Sequence, residues 1–175
     1  MKNKSNNITA NTLRFSKAMK EMYGAGSSNE HIIKQYENIF STTDLIQALE
    51  ENAFVKNKKL SEDVFYIGFV LHLFTDQTTP ILCKYITTTW HGRQEDIASL
   101  LKERKDPKTL PFLVKAMYQN WNHLYDYGDA FIRKCMFAIA SMNTEESNEK
   151  LMKLSESEDE TIKKYAFHQI QKNKL

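Results

Sequence analysis

The feature that most constrains this chain is a succession of short amphipathic segments, each of about 9 to 15 residues, whose apolar side chains recur at helical spacing. The spacing is regular from the first segment to the last, as in Phe15, Ala18, Met19 and Met22 and again in Ile162, Tyr165, Ala166 and Ile170. Only 5 Gly and 3 Pro stand among the 175 residues, which is too few for the many tight turns of a β-sandwich or barrel. The sequence therefore predicts an all-α fold of about ten helices.

Length and composition indicate one folded domain. A chain of 175 residues suits a single domain, and its 41% hydrophobic and 26% charged residues are typical of soluble globular proteins. Residues 1–8 are polar and are expected to form a disordered tail ahead of one domain over residues 9–175. The longest nearly apolar run, Val64–Phe74, has about half the length of a membrane span. We therefore expect a cytoplasmic protein with no membrane contact.

The run Val64–Phe74 is compatible with either of two structures. Its β-branched and aromatic side chains would suit a strand, whereas its length, a preceding Ser61 as N-cap and the lack of a partner strand favour a buried helix. We predict the helix, with His72 as a packed core residue. Further helix starts are indicated by capping residues or by Pro in the first turn, at Thr79-Pro80, Asp106-Pro107, Asp129, Thr144 and Asp159.

Two helical segments near the C-terminus repeat one another. Ile132–Lys134 and Ile162–Lys164 are 30 residues apart, and Phe137 then matches Phe167. A repeat of paired helices at about this period is typical of an α-solenoid. We therefore expect the helices to stack as antiparallel pairs.

Residues at the joints of these segments resemble HEAT repeats of the short bacterial type. In such repeats an Asp-Pro turn opens the first helix of a pair, and a hydrophobic-Arg pair opens the second. The matching residues here are Asp106-Pro107 and Ile132-Arg133, with Ile162-Lys163 as a looser match. The resemblance extends from about Trp90 to the C-terminus and implies an α-solenoid of HEAT-like pairs.

A narrower group of HEAT-repeat proteins shares further features with this chain. Trp90-His91, then Glu95-Asp96-Ile97 and the Asp-Pro turn, resemble the small HEAT-repeat immunity proteins encoded beside bacterial polymorphic or contact-dependent growth inhibition toxins. Gln94 stands where a His is common in that group. The resemblance implies a protein that binds a cognate toxin domain, with a nuclease as the preferred class, in a one-to-one complex. It also implies no catalytic activity and no cofactor, and we expect a monomer in the unbound state.

A segment between two predicted helices is the first candidate for contact with that partner. Alignment of the two repeats leaves about eight extra residues in the first one, within Gln119–Gly128. This insertion contains Trp121, His123, Tyr125, Asp126 and Tyr127. Trp and Tyr are frequent anchors of protein interfaces, which favours partner contact. The alternative is that Trp121 and Leu124 fold back to cover the end of the core.

The second candidate is acidic. Residues 145–160 contain seven carboxylates and two lysines, a local charge of −5. A protein that blocks a nuclease can present carboxylates to the basic groove that normally binds phosphates. The alternative is that these acids only stabilise the N-terminal turns of their helices. The residues predicted to contact a partner are therefore Trp90, His91, Trp121, His123, Tyr125, Asp126, Tyr127, Asp129, Glu156, Glu158 and Asp159.

Signals for catalysis or metal binding are weak. The five histidines are dispersed, and no two of them have the spacing of metal ligands. Cys83 and Cys135 are 52 residues apart in apolar segments, which favours reduced, packed thiols. The lysines of residues 56–59 and 102–108 are interpreted as solvated, with phosphate contact as the alternative.

Two other functions stay open at this point. One is a HEAT-like DNA-binding protein or DNA glycosylase, with Trp90, Trp121 and Asp126 at its pocket. The net charge of only +2 argues against it, because DNA-binding faces are strongly basic. The other is a solenoid adaptor for a different protein, which the sequence does not separate from an immunity protein.

Overall fold

Helices joined by turns make up the residues that the computed structural model describes, which are 10–24, 29–122 and 126–174. These ranges hold ten α-helices: α1 (Ala10–Gly24), α2 (Asn29–Tyr36), α3 (Thr42–Val55), α4 (Lys58–Val70), α5 (Thr79–Ile86), α6 (Gln94–Arg104), α7 (Leu110–Met117), α8 (Asp129–Met142), α9 (Glu145–Leu154) and α10 (Glu160–Asn173). Two 3₁₀ turns, Asp76–Thr78 and Pro107–Thr109, directly precede α5 and α7. The predicted all-α fold is confirmed for these residues, while the stacking into a solenoid stays a prediction. The tail of residues 1–8 lies outside the described residues.

The longest described helices have 14 or 15 residues, and none of the helices in the described ranges is long and apolar enough to cross a bilayer.

Contacts within the chain define two compact units. The first comprises the described residues up to Ile81 together with Trp90–Arg93, and the second comprises Leu82–Thr89 and the described residues from Gln94 onward. Each unit has an apolar interior of its own. The single domain expected over residues 9–175 stays a prediction.

In the first unit, α1 packs on α3 and α4, and α3 also packs on α4. The helices meet through apolar side chains that have no solvent exposure, including Phe15 of α1, Leu45 of α3 and Phe65 of α4. Because these side chains lie at helical spacing along each segment, the sequence pattern predicts which face of each helix is buried.

The apolar run forms a helix, as predicted, but the helix begins one turn earlier than expected. Asn57 is the N-cap of α4, and its Oδ1 accepts a hydrogen bond from the Leu60 amide at 3.1 Å. Ser61 was expected to be the cap and instead lies buried inside the helix. The expectation failed because Asn57 precedes a basic rather than an apolar residue, so the apolar pattern starts after the true cap.

The same run ends in a turn that the sequence pattern does not reveal. α4 stops at Val70, and His72 adopts a left-handed conformation with φ of 54° and is exposed. The prediction of His72 as a packed core residue is therefore wrong. The turn returns the chain so that the Phe74 ring packs on Gly68, where a Cβ atom would lie 2.8 Å from the ring. Glycine at position 68 permits this close approach.

In the second unit, α8 is the central helix and packs on α6, α7, α9 and α10. More than half of its 14 residues are buried, namely Phe131, Ile132, Cys135, Met136, Ala138, Ile139, Ala140 and Met142. A helix that is apolar on so much of its surface requires neighbours on several sides, which these four helices supply.

Three of the predicted helix starts are confirmed by capping hydrogen bonds. The Asp106 side chain accepts from the Lys108 amide at 3.0 Å, ahead of the 3₁₀ turn that leads into α7. Thr144 forms a capping box at the start of α9. Asp159 Oδ1 accepts from the first amides of α10 at 2.9 and 3.0 Å.

Two predicted starts need correction. Thr79 is not an N-cap, because it is already helical, with φ of −52° and ψ of −45°, and follows the 3₁₀ turn of residues 76–78. Asp129 is the first residue of α8 rather than its cap. Its predicted role is performed by Asp126, whose two carboxylate oxygens accept from the Gly128 amide at 3.1 Å and the Ala130 amide at 2.8 Å.

Candidate functional site

Trp121, the first aromatic residue of the predicted insertion, is buried in the second unit. Its residue exposure is 3%, its Nε1 donates to the Ala116 carbonyl at 3.0 Å, and its ring packs at 4.8 Å on the ring of Phe131. Gly128, with φ of 87°, fits closely against it, since a Cβ there would lie 2.7 Å from the Trp121 Cβ. Trp121 therefore joins α7 to α8 and has almost no surface left for a partner. Its position agrees with the alternative that Trp121 folds back onto the core.

The rest of the insertion is divided between a structural and an exposed part. His123 and Tyr125 lie outside the described residues. Asp126 caps α8, since one carboxylate oxygen accepts from the Ala130 amide of α8 and the other accepts from the amide of the preceding Gly128. Tyr127 is 74% exposed and is followed directly by the glycine that supports Trp121. Among the described residues of the insertion, Tyr127 is thus the aromatic side chain that a partner can reach.

Tyr118 is a second exposed aromatic residue that the sequence did not single out. It lies directly after α7 and is 57% exposed. Its hydroxyl lies 3.5 Å from the Ser157 hydroxyl, in the turn between α9 and α10. The signal in the sequence was its place immediately before the insertion and one residue off the apolar stripe of Leu110, Leu113 and Met117.

The acidic residues of the C-terminal segment are on the surface. All seven are exposed: Glu145, Glu146, Glu149, Glu156, Glu158, Asp159 and Glu160. Two of them have structural partners as well, since Asp159 caps α10 and Glu160 lies 3.7 Å from Lys163. The helix-end interpretation thus holds for Asp159, while presentation of the exposed acids to a partner stays a prediction. Glu156 and Glu158 flank Ser157 and are the acids closest in sequence to Tyr118's contact.

A tyrosine and a carboxylate form a second connection at the same end of the second unit. The Tyr165 hydroxyl of α10 donates to Asp129 Oδ1 at 2.5 Å, at the first turn of α8. Burial and this hydrogen bond raise the pKa of Tyr165, and Lys164, whose ammonium lies 4.7 Å from the centre of the ring, opposes the shift. Tyr165 was predicted only as part of an apolar stripe, because spacing does not reveal what a hydroxyl binds.

We name the acidic–aromatic edge the exposed aromatic and acidic residues that lie at these two contacts or within two positions of them in the sequence: Tyr118, Tyr127, Glu156, Glu158 and Asp159. Tyr118 is held beside the α9–α10 turn by Ser157, and the start of α8 is held to α10 by the Asp129–Tyr165 bond. The edge combines exposed aromatic surface with three carboxylates. That combination suits binding to a basic protein surface, because the tyrosines bury area while the carboxylates pair with cations.

Trp90 and His91, the remaining predicted contacts, belong to the first unit. His91 has no solvent exposure, its Nδ1 accepts from the Arg93 amide at 2.9 Å, and its ring stacks on Phe65 with the centres 6.5 Å apart. Trp90 is half-buried and meets the His91 ring edge-on at 5.2 Å. This pair packs the loop before α6 onto α4, and His91 is inaccessible to a partner.

Nucleophilic or metal-dependent chemistry finds no support among the described residues. Burial raises the pKa of the Cys83 thiol to about 11, with a further contribution from Asp106, and burial raises the pKa of Cys135 as well. Both thiols are therefore protonated at neutral pH and poor nucleophiles. In the described ranges, no group of three or more His, Cys, Asp or Glu side chains is placed to hold a metal ion.

Comparison with known proteins adds no relative. No protein-family model, curated protein or solved structure matches this chain. The likeness to HEAT-repeat immunity proteins thus depends on the sequence motifs alone, and the use of the acidic–aromatic edge has to be argued from its chemistry.

Proposed function

We propose that this chain is an immunity protein that binds a cognate bacterial toxin domain, a nuclease, and blocks the groove in which the nuclease binds its substrate. The observation that carries the proposal is the acidic–aromatic edge, whose exposed tyrosines and carboxylates lie in sequence at or beside two contacts of the second unit, Tyr118 with Ser157 and Tyr165 with Asp129. The resemblance of the Trp90–Pro107 motif to HEAT-repeat immunity proteins supplies the class of partner. The complex contains one copy of each protein and forms in the cytoplasm, and the free immunity protein is a monomer.

The charge of the edge supports a nuclease as the partner. A nuclease groove is basic because it binds phosphates, and residues 145–160 carry seven exposed carboxylates against two lysines. Complementary charge speeds association and disfavours incorrect partners. Tyr118 and Tyr127 supply the aromatic surface that anchors such complexes. The carboxylates thus occupy positions that phosphates would otherwise take, and the tyrosines stabilise the complex.

The proposal includes a finer arrangement of the helices. In it, α7 with α8 and α9 with α10 are two antiparallel HEAT-like pairs. The packing of α8 on both α7 and α10 supports stacking of neighbouring pairs. The acidic–aromatic edge then lies where the two pairs adjoin.

A growth-rescue assay tests the proposal. The C-terminal domain encoded by the gene immediately upstream is expressed in a sensitive bacterium, with and without this protein. We expect restored growth and co-elution of the two proteins as a one-to-one complex. An upstream product that is not toxic, or toxicity that this protein does not relieve, contradicts the immunity function.

Charge-reversal variants then test the surface. The double variant Glu156→Lys with Glu158→Lys should weaken toxin binding at least tenfold in calorimetry at physiological salt, since each desolvated charge pair is worth roughly 1.5 kcal/mol or more. Glu103→Lys changes an equally exposed acid on α6 and is the matched control. Equal affinities of the double variant and the wild type would place the contact elsewhere while leaving immunity intact.

The alternatives receive different degrees of support. For a DNA glycosylase, Trp121 is buried and both oxygens of Asp126 accept backbone hydrogen bonds, so neither is available at a pocket. No observation in the described residues favours that function. A solenoid adaptor would use the same acidic–aromatic edge, and the growth-rescue assay separates it from an immunity protein.

A further inference from the structure

The first unit contains a cleft that the proposed function does not use. Side chains of α1 and of the first two turns of α4 line it, and its volume is about 410 Å³. That volume falls within the range of roughly 300 to 1,000 Å³ found for small-molecule sites. Its walls are largely apolar, with Met19 and Leu60 among the residues that line it. Such walls suit the hydrocarbon or aryl part of a small ligand.

A buried carboxylate stands at one side of the cleft. The Asp63 side chain is 3% exposed, and its two oxygens accept hydrogen bonds from Ser16 Oγ and from Lys59 Nζ, each at 2.8 Å. Both oxygens of Asp63 are therefore satisfied by the protein itself. The consequence is that Asp63 holds the Lys59 ammonium at the cleft instead of attracting a cationic ligand.

Two further groups at the cleft are donors without acceptors. Lys20 is exposed and has no ion-pair partner among the residues that the structure describes. Asn57 uses Oδ1 to cap α4, which leaves its Nδ2 hydrogens without an acceptor in the same described part of the chain. Two ammonium groups and one carboxylate give the lining a net charge of +1, which matches a monoanion.

We propose that this cleft binds a small amphiphilic carboxylate. The ligand's carboxylate lies between the ammonium groups of Lys20 and Lys59 and accepts from the Asn57 amide, and its alkyl or aryl body packs on Met19 and Leu60. A cation of the same shape is disfavoured, because Asp63, the one carboxylate among the described lining residues, already accepts a hydrogen bond on each oxygen and pairs with Lys59. The site belongs to the first unit and does not depend on the immunity function.

Titration with octanoate tests the proposal, followed through the ¹³C-methyl signals of the methionines. Met19 lines the cleft, and its signal is assigned from its loss in Met19→Leu. Met152, 49% exposed on α9, is the internal control. We expect a saturable shift of the Met19 signal with octanoate, no shift of the Met152 signal, and no effect of octylamine, which has the same body and the opposite charge.

Two lysine variants complete the test. Lys20→Met should weaken octanoate binding about tenfold, the effect of one charge-assisted hydrogen bond. Lys17→Met is the control, since Lys17 lies one turn earlier on α1 and pairs with Glu21 outside the cleft lining. A Met19 signal that does not respond to octanoate, an equal response to octylamine, or unchanged binding by Lys20→Met would each overturn the proposal. Circular dichroism confirms beforehand that each variant is folded.

Discussion

The two units differ in how their helices are held together. In the first unit, buried polar side chains connect the helices: Thr12 Oγ1 of α1 donates to Glu51 Oε2 of α3 at 2.7 Å, and Ser16 Oγ donates to Asp63 Oδ2 of α4 at 2.8 Å. In the second unit, α8 is surrounded by apolar contacts and polar side chains cap several helix starts, although the Tyr165–Asp129 bond also joins α10 to α8.

The difference shows which interactions a sequence pattern can reveal. Caps such as Thr144 and Asp159 act within a few residues, and an apolar stripe follows from spacing along one segment. A pair such as Ser16 and Asp63 joins residues that are 47 positions apart. Caps and apolar stripes can therefore be read from the sequence, whereas polar pairs between helices, such as Ser16 with Asp63, cannot.

The largest effect that this comparison predicts is on the centre of the second unit. Phe131 has no solvent exposure and packs at 4.8 Å on Trp121. Phe131→Ala should therefore lower the free energy of unfolding by about 3–5 kcal/mol, through lost apolar contact and the cavity left behind. Urea unfolding followed by circular dichroism measures the change.

Phe167→Ala is the matched control for that prediction, because Phe167 of α10 is 55% exposed. Its effect should stay below about 1 kcal/mol. Similar losses in the two variants would show that α8 is not the apolar centre on which the second unit depends.

The next effect concerns a polar pair of the first unit. Asp63→Ala removes the acceptor of the buried Ser16 hydroxyl and should lower the free energy of unfolding by about 2–3 kcal/mol, as for other hydrogen bonds to buried charges. Glu62→Ala, at the neighbouring half-buried acid, should change it by less than about 1 kcal/mol. A double-mutant cycle with Ser16→Ala measures the coupling, and a coupling energy near zero would mean that the pair does not hold α1 to α4.

Much of the fold was predictable from the sequence for these same reasons. The helix starts at Asp106, Thr144 and Asp159 have capping side chains, and the sequence predicts these starts correctly. The prediction failed at Ser61 because the apolar pattern starts one turn after the true cap, Asn57. Thr79 and Asp129 are first helical residues and not caps. His72 was misjudged because the turn that returns Phe74 to Gly68 is not encoded in the spacing. Local signals thus specify helices well, but the ends of a buried helix depend on what packs against it.

The candidate site was predictable only in part. The exposed acids Glu156 and Glu158 follow from their polarity, and the structure places them at the surface. Trp121 was weighed as an anchor because of its residue type, but the Ala116 carbonyl and the Phe131 ring bury it. Tyr118 was missed, since only its contact with Ser157 places it beside the acidic turn. Residue type suggests which side chains can bind, whereas tertiary contacts decide which are available.

Each unit also contains a tyrosine that donates to a carboxylate on another helix. The pKa values of these two tyrosines can be compared, and this comparison predicts the smallest effects. Tyr36 of α2 bonds Glu21 of α1 in the first unit, and Tyr165 of α10 bonds Asp129 of α8 in the second. Burial, followed by the bond to Glu21, raises the pKa of Tyr36 to about 12. The pKa of Tyr165 is also raised, but Lys164 opposes that shift.

The raised pKa of Tyr36 predicts a loss of stability at high pH. The folded protein holds the phenolic proton more tightly than the unfolded chain, whose tyrosine pKa is about 10. The stabilising contribution is therefore complete below pH 10 and is lost as the pH rises towards 12, about 1.4 kcal/mol of it by pH 11. Tyr36→Phe should remove this part of the decrease when unfolding free energies are measured from pH 9 to 11.5. Tyr165→Phe should remove a smaller part of the decrease, because Lys164 stabilises the ionised phenol of Tyr165. A larger effect of Tyr165→Phe than of Tyr36→Phe would contradict this prediction.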